Sequence, residues 1–223
     1  MPMPAKPQPR LLLTRPEADS RRFAAMLPEW EAVISPILRI EPVAHDTARL
    51  HAARGLVFTS AHAVPAAGAG RGRLAFCVGR RTAESAREAG FDIREGNGFA
   101  EGLLPLIEAA EVPLLHPHGR HLARELPVEG VVVYDQIAQP LNDAARTLLA
   151  EPGPVIVPLF SPRSARLLSA AFRHFRAEAW IAAISPAVMD QWRAPAACSA
   201  IAANLSAEAM AATIRRLAER EQS

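Results

Sequence analysis

The sequence contains few cysteines, few aromatic residues and little excess charge of either sign. Its two cysteines, Cys77 and Cys198, lie within apolar runs and form no CxxC pair, so we expect buried free thiols rather than disulfides. Aromatic residues make up 5% of the chain, which is too few for the stacking surfaces of single-strand binding proteins. The formal net charge is +2 and basic residues are scattered. We therefore expect no nucleic-acid partner, whereas an anionic small-molecule ligand is compatible with this composition.

Long apolar segments are also missing. No run approaches the roughly 18 apolar residues of a membrane-spanning helix, so no membrane partner is expected. The proline-rich start, MPMPAKPQPR, lacks the apolar stretch of a signal peptide. We expect this start to be flexible and the protein to be cytoplasmic.

Several motifs of cofactor and metal chemistry are absent. The sequence has no GxGxxG fingerprint, no GxxxxGK[ST] phosphate loop and no GxSxG nucleophile turn. His116, His118 and His121 are close in sequence, but their spacing fits no common zinc pattern and no cysteine or carboxylate cluster accompanies them. We expect neither a metal site nor a cofactor.

What is present is a series of short apolar strands, each followed by a small or polar residue and a segment of helical length. The predicted strands are residues 11–13, 56–58, 74–78, 114–115, 155–160 and 180–184. The first helix has Glu17 and Asp19 in its first turn and Phe23, Met26 and Leu27 on one face. Strands without polar alternation that alternate with helices are typical of parallel sheets covered on both faces. The sequence therefore predicts an α/β fold.

The chain repeats itself at an offset of 102 to 107 residues. The matching segments are, in order, 13–15 with 115–117, 58–63 with 160–165, 78–79 with 184–185 and 100–103 with 207–210. The match also places a helix at 121–123, corresponding to residues 22–24. Four matches in one order predict two similar α/β domains.

Two extended segments that end in proline, 36–42 and 134–140, are predicted to be connector strands between the domains. One domain then comprises residues 1–35 and 141–223, and the other, residues 43–133, is inserted into it. We expect a cleft between the two domains, because ligands often bind at such interfaces.

Small, hydroxylated or basic residues follow the predicted strands, at the edge of a parallel sheet where ligands bind. Hydroxyl groups and the free N–H groups of helix N-termini together bind anions. For each residue alone, ordinary N-capping is the alternative explanation. The candidates are Thr14, Arg15, Thr59, Ser60, Gly79, Thr82, Gly119, Arg120, Ser161, Ser164 and Ser185.

Tyr134 is the only tyrosine and begins the second predicted connector. It could simply close a strand as a half-buried aromatic residue. Its predicted place at a hinge instead favours a hydroxyl group that faces the cleft.

Taken together, these residues resemble the uroporphyrinogen-III synthase family. The motifs that carry the resemblance are Leu-Thr-Arg-Pro (13–16), Phe-Thr-Ser-Ala-His-Ala-Val (58–64), Val-Gly-Arg-Arg-Thr-Ala (78–83), Ala-Glu-Gly-Leu (100–103), Pro-Leu-Leu-His-Pro-His-Gly-Arg (113–120), Val-Tyr (133–134) and Phe-Ser-Pro-Arg-Ser (160–164). In this order and spacing they cover nearly the whole chain after residue 10.

The resemblance implies a two-domain lyase of tetrapyrrole, porphyrin and haem biosynthesis. The implied reaction converts the linear substrate hydroxymethylbilane into uroporphyrinogen III, inverts ring D and releases water, without a metal or an organic cofactor. The eight carboxylates of this substrate suit a cleft of N–H and hydroxyl donors. We expect the enzyme to be a monomer.

The resemblance also implies residue roles. Tyr134 matches the tyrosine proposed to assist departure of the substrate hydroxyl, and Thr82 matches a threonine of the family cleft. Thr59, Ser60 and Ser161 match loops that bind acetate and propionate groups, and His62 in the same motif joins the expected substrate-binding residues.

The chain departs from the family at residues 185–189, where Ser-Pro-Ala-Val-Met replaces a Gly-Pro-Thr-Thr-Ala-like loop and two hydroxyl donors are missing. Leu205 likewise stands where the family usually has proline. Two alternatives therefore accompany the enzyme hypothesis: a non-catalytic two-lobed binding protein for an anionic small molecule, and a regulatory or scaffolding homologue that keeps only the fold.

Overall fold

The computed structural model describes residues 8–122 and 124–222. The start of the chain up to residue 7, for which flexibility was the expectation, lies outside the described residues, as does Ala123. The described strands form two sheets and alternate with helices, so the prediction of an α/β fold with parallel sheets is confirmed. Internal contacts define unit 1, residues up to Arg39 and from Ala138 onward, and unit 2, Ile40–Ile137.

The described elements are short, and none of the described helices is both long and apolar enough to span a bilayer. In chain order they are β1 (Arg10–Leu13), α1 (Glu17–Ala24), β2 (Ala32–Ile34), β3 (Leu38–Pro42), α2 (Thr47–Ala52), β4 (Gly55–Phe58), a 3₁₀ helix (Ala61–Ala67), β5 (Leu74–Cys77), α3 (Arg80–Glu88), β6 (Asp92–Glu95), a second 3₁₀ helix (Ala100–Leu103), α4 (Leu104–Glu108), β7 (Leu114–Gly119), β8 (Glu129–Ala138), α5 (Asp143–Ala150), β9 (Pro154–Leu159), α6 (Pro162–Phe172), β10 (Glu178–Ala183), α7 (Pro186–Met189), β11 (Cys198–Ile201) and α8 (Ala207–Gln222).

Unit 1 contains a five-stranded sheet in the order β11-β10-β9-β1-β2. Each pair of neighbouring strands is parallel. Leu11, Leu12 and Leu13 are at most 1% exposed. Because successive side chains point to opposite faces of a strand, their burial means that both faces of β1 are covered.

Unit 2 contains the order β3-β8-β7-β4-β5-β6. The strand pairs β8–β7, β7–β4, β4–β5 and β5–β6 are all parallel. β3 is antiparallel to β8. The Gln139 N–H donates to Ile37 O at 2.9 Å and the Val43 N–H donates to Val133 O at 3.1 Å, so the start of one segment pairs with the end of the other. The extended segments 36–42 and 134–140 therefore include an antiparallel pair of strands.

β7 is longer than the sequence indicated. Residues 116–119 were expected to form a loop, and a helix was expected at 121–123; both expectations are wrong for the described residues. The strand continues to Gly119, and His121 and Leu122 are not helical. Pairing of residues 116–119 with β8 stabilises this extended backbone, although proline and glycine, here Pro117 and Gly119, are normally depleted in strands.

The guanidinium group of Arg73 joins three segments of unit 2. It donates to six carbonyl oxygens, those of Leu50, His51, Ala53, Ala67, Ala69 and Gly70, at 2.8–3.3 Å. It also lies 5.1 Å from the centre of the Phe91 ring. One cation thus binds carbonyl groups at the ends of α2 and of the first 3₁₀ helix, where a helix has few N–H groups left to pair with its last carbonyls.

Candidate active site

The predicted site residues of unit 1 lie where adjacent parallel strands end. Thr14 and Arg15 follow β1, Ser161 follows β9, and Ser185 follows β10 by two positions. Since β10, β9 and β1 are neighbours, these residues share one edge of the sheet.

Unit 2 shows the same arrangement. Thr59 and Ser60 follow β4, Gly79 follows β5 by two positions, and Gly119 is the last residue of β7. β7, β4 and β5 are neighbours, so the carboxyl ends of these strands also meet at one edge.

Three of the predicted serines cap helices. The Ser60 side chain accepts from the His62 N–H at 3.3 Å, and the Ser185 side chain accepts from the Val188 N–H at 3.4 Å. Ser161 Oγ accepts from the Ser164 N–H at 3.1 Å and donates to Ser164 Oγ at 2.9 Å. The capping explanation therefore applies to each serine, and their substrate contacts stay a prediction.

Arg15 is already engaged within unit 1. Its guanidinium lies 4.2 Å from the centre of the Phe160 ring and 3.5 Å from the buried carboxylate of Asp19. The adjacent Thr14 is only 3% exposed, and its carbonyl accepts from the Ile37 N–H at 3.2 Å. These contacts fix the turn after β1.

Thr82 was expected among the strand-to-helix loops, and this placement is wrong: Thr82 lies in the first turn of α3 and is 5% exposed. Gly79 is the N-cap of α3, and among the described residues no side chain caps the first N–H groups of this helix. A side-chain carbon at Gly79 would lie 3.2 Å from the Cα of Gly98. The first turn of α3 therefore offers backbone donors beside a close backbone approach.

Tyr134 lies in β8, is 5% exposed and belongs to the apolar cluster of unit 2. Its ring packs against Gly119 of β7. The His62 ring meets it edge-on, with 5.9 Å between ring centres. Within residues 8–122 and 124–222, no hydrogen bond is formed by the Tyr134 hydroxyl. Unit 2 therefore brings Tyr134, His62 and Gly119 together.

Two buried histidines, His116 and His118, belong to the same edge, although their spacing in the sequence raised only the question of metal binding. His116 Nε2 is hydrogen-bonded to Thr59 Oγ1 at 2.9 Å. The rings of His116 and His118 lie 4.8 Å apart. His118 Nδ1 is 2.8 Å from Gly119 O, and because a carbonyl oxygen only accepts, this nitrogen carries the proton. The signal that could have found the first pair is that Thr59 and His116 each follow a predicted strand.

Burial, and then the neighbouring His118, lower the pKa of His116 to about 4. His116 is therefore neutral at physiological pH, where it holds the Thr59 hydroxyl without adding charge to the site.

The buried His116 makes stability depend on pH. The unfolded chain takes up a proton on His116 below about pH 6.5, whereas the folded chain does so only near pH 4. The contribution of neutral His116 to the free energy of unfolding is therefore fully present above about pH 6.5. Up to about 3 kcal/mol of it is lost as the pH drops towards 4. His116→Gln keeps a polar group for Thr59 but does not titrate. Urea unfolding at pH 7 and pH 4.5 should show a smaller loss for His116→Gln than for the parent; equal losses would contradict the assignment.

Arg120 and His121 lie beside Asp135, the residue after Tyr134. Arg120 Nε donates to Asp135 Oδ2 at 2.8 Å, and His121 Nε2 is 3.6 Å from Asp135 Oδ1. The hydrogen bond from Arg120 is the main cause that lowers the pKa of Asp135. The described part of the chain has no group of three or more His, Cys, Asp or Glu residues suited to a metal ion.

Comparisons with known proteins agree with one another. A family model described as uroporphyrinogen-III synthase HemD matches residues 28–212. The chain is similar to the crystal structure of uroporphyrinogen-III synthetase from Helicobacter pylori, with 16% identity, a TM-score of 0.60, and coverage of 94% of this chain and 99% of that chain. It is also similar to a mutant uroporphyrinogen III synthase from the extremely thermophilic bacterium Thermus thermophilus, with 14% identity, a TM-score of 0.50, and coverage of 95% and 99%. No curated protein matches significantly.

Proposed function

Because the chain belongs to the uroporphyrinogen-III synthase family, a family of lyases, we propose that it cyclises hydroxymethylbilane to uroporphyrinogen III with inversion of ring D and loss of water. The observation that supports this most is the family match over residues 28–212 of a 223-residue chain.

We propose that Tyr134 is the catalytic residue and donates a proton to the departing hydroxyl of the substrate. A phenol hydroxyl carries a proton that it can donate to a leaving group. Loss of hydroxide from a hydroxymethylpyrrole leaves a cation that the pyrrole nitrogen stabilises, so a weak acid suffices. The support is that the Tyr134 hydroxyl has no hydrogen-bond partner among the described residues while its ring is packed against Gly119 and His62.

The carboxylates of the substrate would bind to donors at the strand ends of each unit. In unit 2 these are Thr59, Ser60 and the first turn of α3 after Gly79, and in unit 1 the loops after β9 and β10. Helix N-termini and hydroxyl groups favour negative charge. Holding the chain in one geometry is the main catalytic task, because unguided closure gives the type I isomer without inversion.

The non-catalytic alternatives are not favoured by the family match. The chain keeps Tyr134 and Thr82, although residues 185–189 lack two hydroxyl donors of the family loop. We infer that the hydroxyl groups of unit 2 carry more of the carboxylate binding than those after β10.

The test is a product assay with purified protein and hydroxymethylbilane, in which type III and type I products are separated after oxidation. We expect type III product to dominate with the protein and type I product to dominate with heat-denatured protein. Type I product alone in both samples would refute the proposed activity.

We further propose that the protein is a cytoplasmic monomer that binds no nucleic acid, and that segments 36–42 and 134–140 are the domain connectors. The small net charge of +2 supports the absence of nucleic-acid binding, and the antiparallel hydrogen bonds of these segments support their role as connectors. Sedimentation that shows a dimer at micromolar concentration would overturn the monomer.

A further inference from the structure

Gly119 has no room for a side chain because of Tyr134. A Cβ atom at Gly119 would lie 2.5 Å from Cε2 and Cζ of Tyr134 and 2.9 Å from its hydroxyl oxygen. Real Cβ atoms do not approach other heavy atoms so closely. Gly119 is not among the described residues with a positive φ, so a left-handed backbone conformation is not the reason for glycine here. The three atoms nearest to such a Cβ all belong to Tyr134, so the tyrosine side chain supplies the steric reason for glycine at this position.

The peptide of Gly119 is itself held in place. The pairing of β7 with β8 shifts register between His118 and Gly119, which is a local bulge. His118 Nδ1–H donates to Gly119 O at 2.8 Å, and the Arg120 N–H donates to Tyr134 O at 3.0 Å. These hydrogen bonds from His118 and Arg120, the residues on either side of Gly119, hold the bulge against the Tyr134 ring.

The contact between the two strands is reciprocal. Tyr134 of β8 lies against Gly119 of β7, and His118 of β7 lies against Gly130 of β8, where an added Cβ would be 2.5 Å from His118 Nε2. Each ring therefore occupies the space that a glycine on the adjacent strand leaves open, which limits sideways movement of both rings.

We propose that Gly119 is a positioning residue for the reaction: its missing side chain, fixed by His118 and the bulge, sets the position of the Tyr134 hydroxyl. This proposal rests on the role of Tyr134 as proton donor. Misplacing a catalytic group by an ångström costs rate even when substrate still binds.

The test is Gly119→Ala, measured by turnover, KM and the position of the ring. We expect turnover to fall about 5- to 50-fold, no more than for Tyr134→Phe, with KM within about 2-fold of the parent. Because Tyr134 is the only tyrosine, ring labelling with ¹³C gives NMR signals from this residue alone. These signals should shift in Gly119→Ala.

Gly55→Ala is the matched control in the same sheet. There an added Cβ would meet the end of the Leu114 side chain at 2.6 Å, at the opposite end of the strands. Gly55→Ala should leave the Tyr134 signals and turnover unchanged.

The double variant Gly119→Ala/Tyr134→Phe separates positioning from general damage. If Gly119 acts through the hydroxyl, the double variant should turn over no more than about 2-fold more slowly than Tyr134→Phe. A further loss equal to that of Gly119→Ala in the parent overturns the proposal, as does full turnover of Gly119→Ala beside an impaired Tyr134→Phe. Full turnover of Tyr134→Phe refutes the donor role and the proposal with it.

If Gly119→Ala does not fold, Tyr134→Ala supplies the test. With the ring removed, alanine at position 119 meets no tyrosine, so Gly119→Ala/Tyr134→Ala should recover soluble, folded protein. Failure to recover it, while Tyr134→Ala alone folds, overturns the proposal.

Discussion

Tyr134→Phe is expected to lower turnover about 10- to 100-fold. A positioned general acid contributes typically about 10²–10⁴-fold, and we place this case at or below the low end because the substrate ionises easily and water can replace part of the donor. KM should stay within about 2-fold, since other groups bind the carboxylates. Type III product should still dominate, because steering depends on the site as a whole.

Two measurements distinguish this result from loss of packing. The melting temperature of Tyr134→Phe should match that of the parent, because the ring is retained and its hydroxyl has no hydrogen-bond partner in residues 8–122 and 124–222. Thr82→Val, which removes another buried hydroxyl, should reduce turnover less. Full turnover of Tyr134→Phe would make Tyr134 a packing residue only.

Arg73→Gln is expected to lower the free energy of unfolding of unit 2 by about 3 kcal/mol. The change removes a charge that serves six carbonyl oxygens, and an unsatisfied group in such a network costs about 1–3 kcal/mol. Glutamine can reach only a few of these acceptors. Urea unfolding followed by the ¹³C signals of Tyr134 measures this loss, because Tyr134 lies in unit 2.

The neighbouring Arg71→Gln is the control, because it removes the same charge from an exposed residue and should change stability by less than about 0.5 kcal/mol. Trp30, Trp180 and Trp192 all lie in unit 1, so tryptophan fluorescence follows that unit separately. Equal midpoints of the Tyr134 transition for Arg73→Gln and the parent would show that the carbonyl contacts add no stability.

Strands in the middle of each sheet were predictable because burial on both faces demands apolar runs. The runs at 11–13, 56–58 and 155–160 correspond to β1, β4 and β9. Of the edge strands, β3 was predicted as part of the connector 36–42, whereas β2, β6 and β11 were not. β6 reads Asp-Ile-Arg-Glu, and β2 has three residues. An edge strand is paired on one side and half exposed, so its sequence carries little hydrophobic signal. Likewise α1 ends at Ala24, and Leu27 is buried just beyond it rather than on its face.

The candidate site was predictable only at the level of residue types. Residues with hydroxyl groups that follow strands can be recognised in a sequence. The packing of the Tyr134 ring against Gly119, in contrast, depends on a register shift between β7 and β8. The bond between Thr59 and His116 joins residues 57 positions apart. Whether these side chains touch a substrate stays a prediction.

Unit 1 is built from two stretches of sequence, and this affects the order in which the protein can fold during synthesis. Arg10 of β1 pairs with Val155 of β9, 145 residues later. A ribosome that adds about 5–20 residues per second needs roughly 7–30 s to cover that distance. Unit 2 is continuous in sequence and can be complete within this time, while Leu11, Leu12 and Leu13 pair only with β2, because β9 has not yet been translated. β1 is therefore translated well before β9, and on its β9 side its backbone and apolar side chains stay unpaired on the nascent chain until the five-stranded sheet closes.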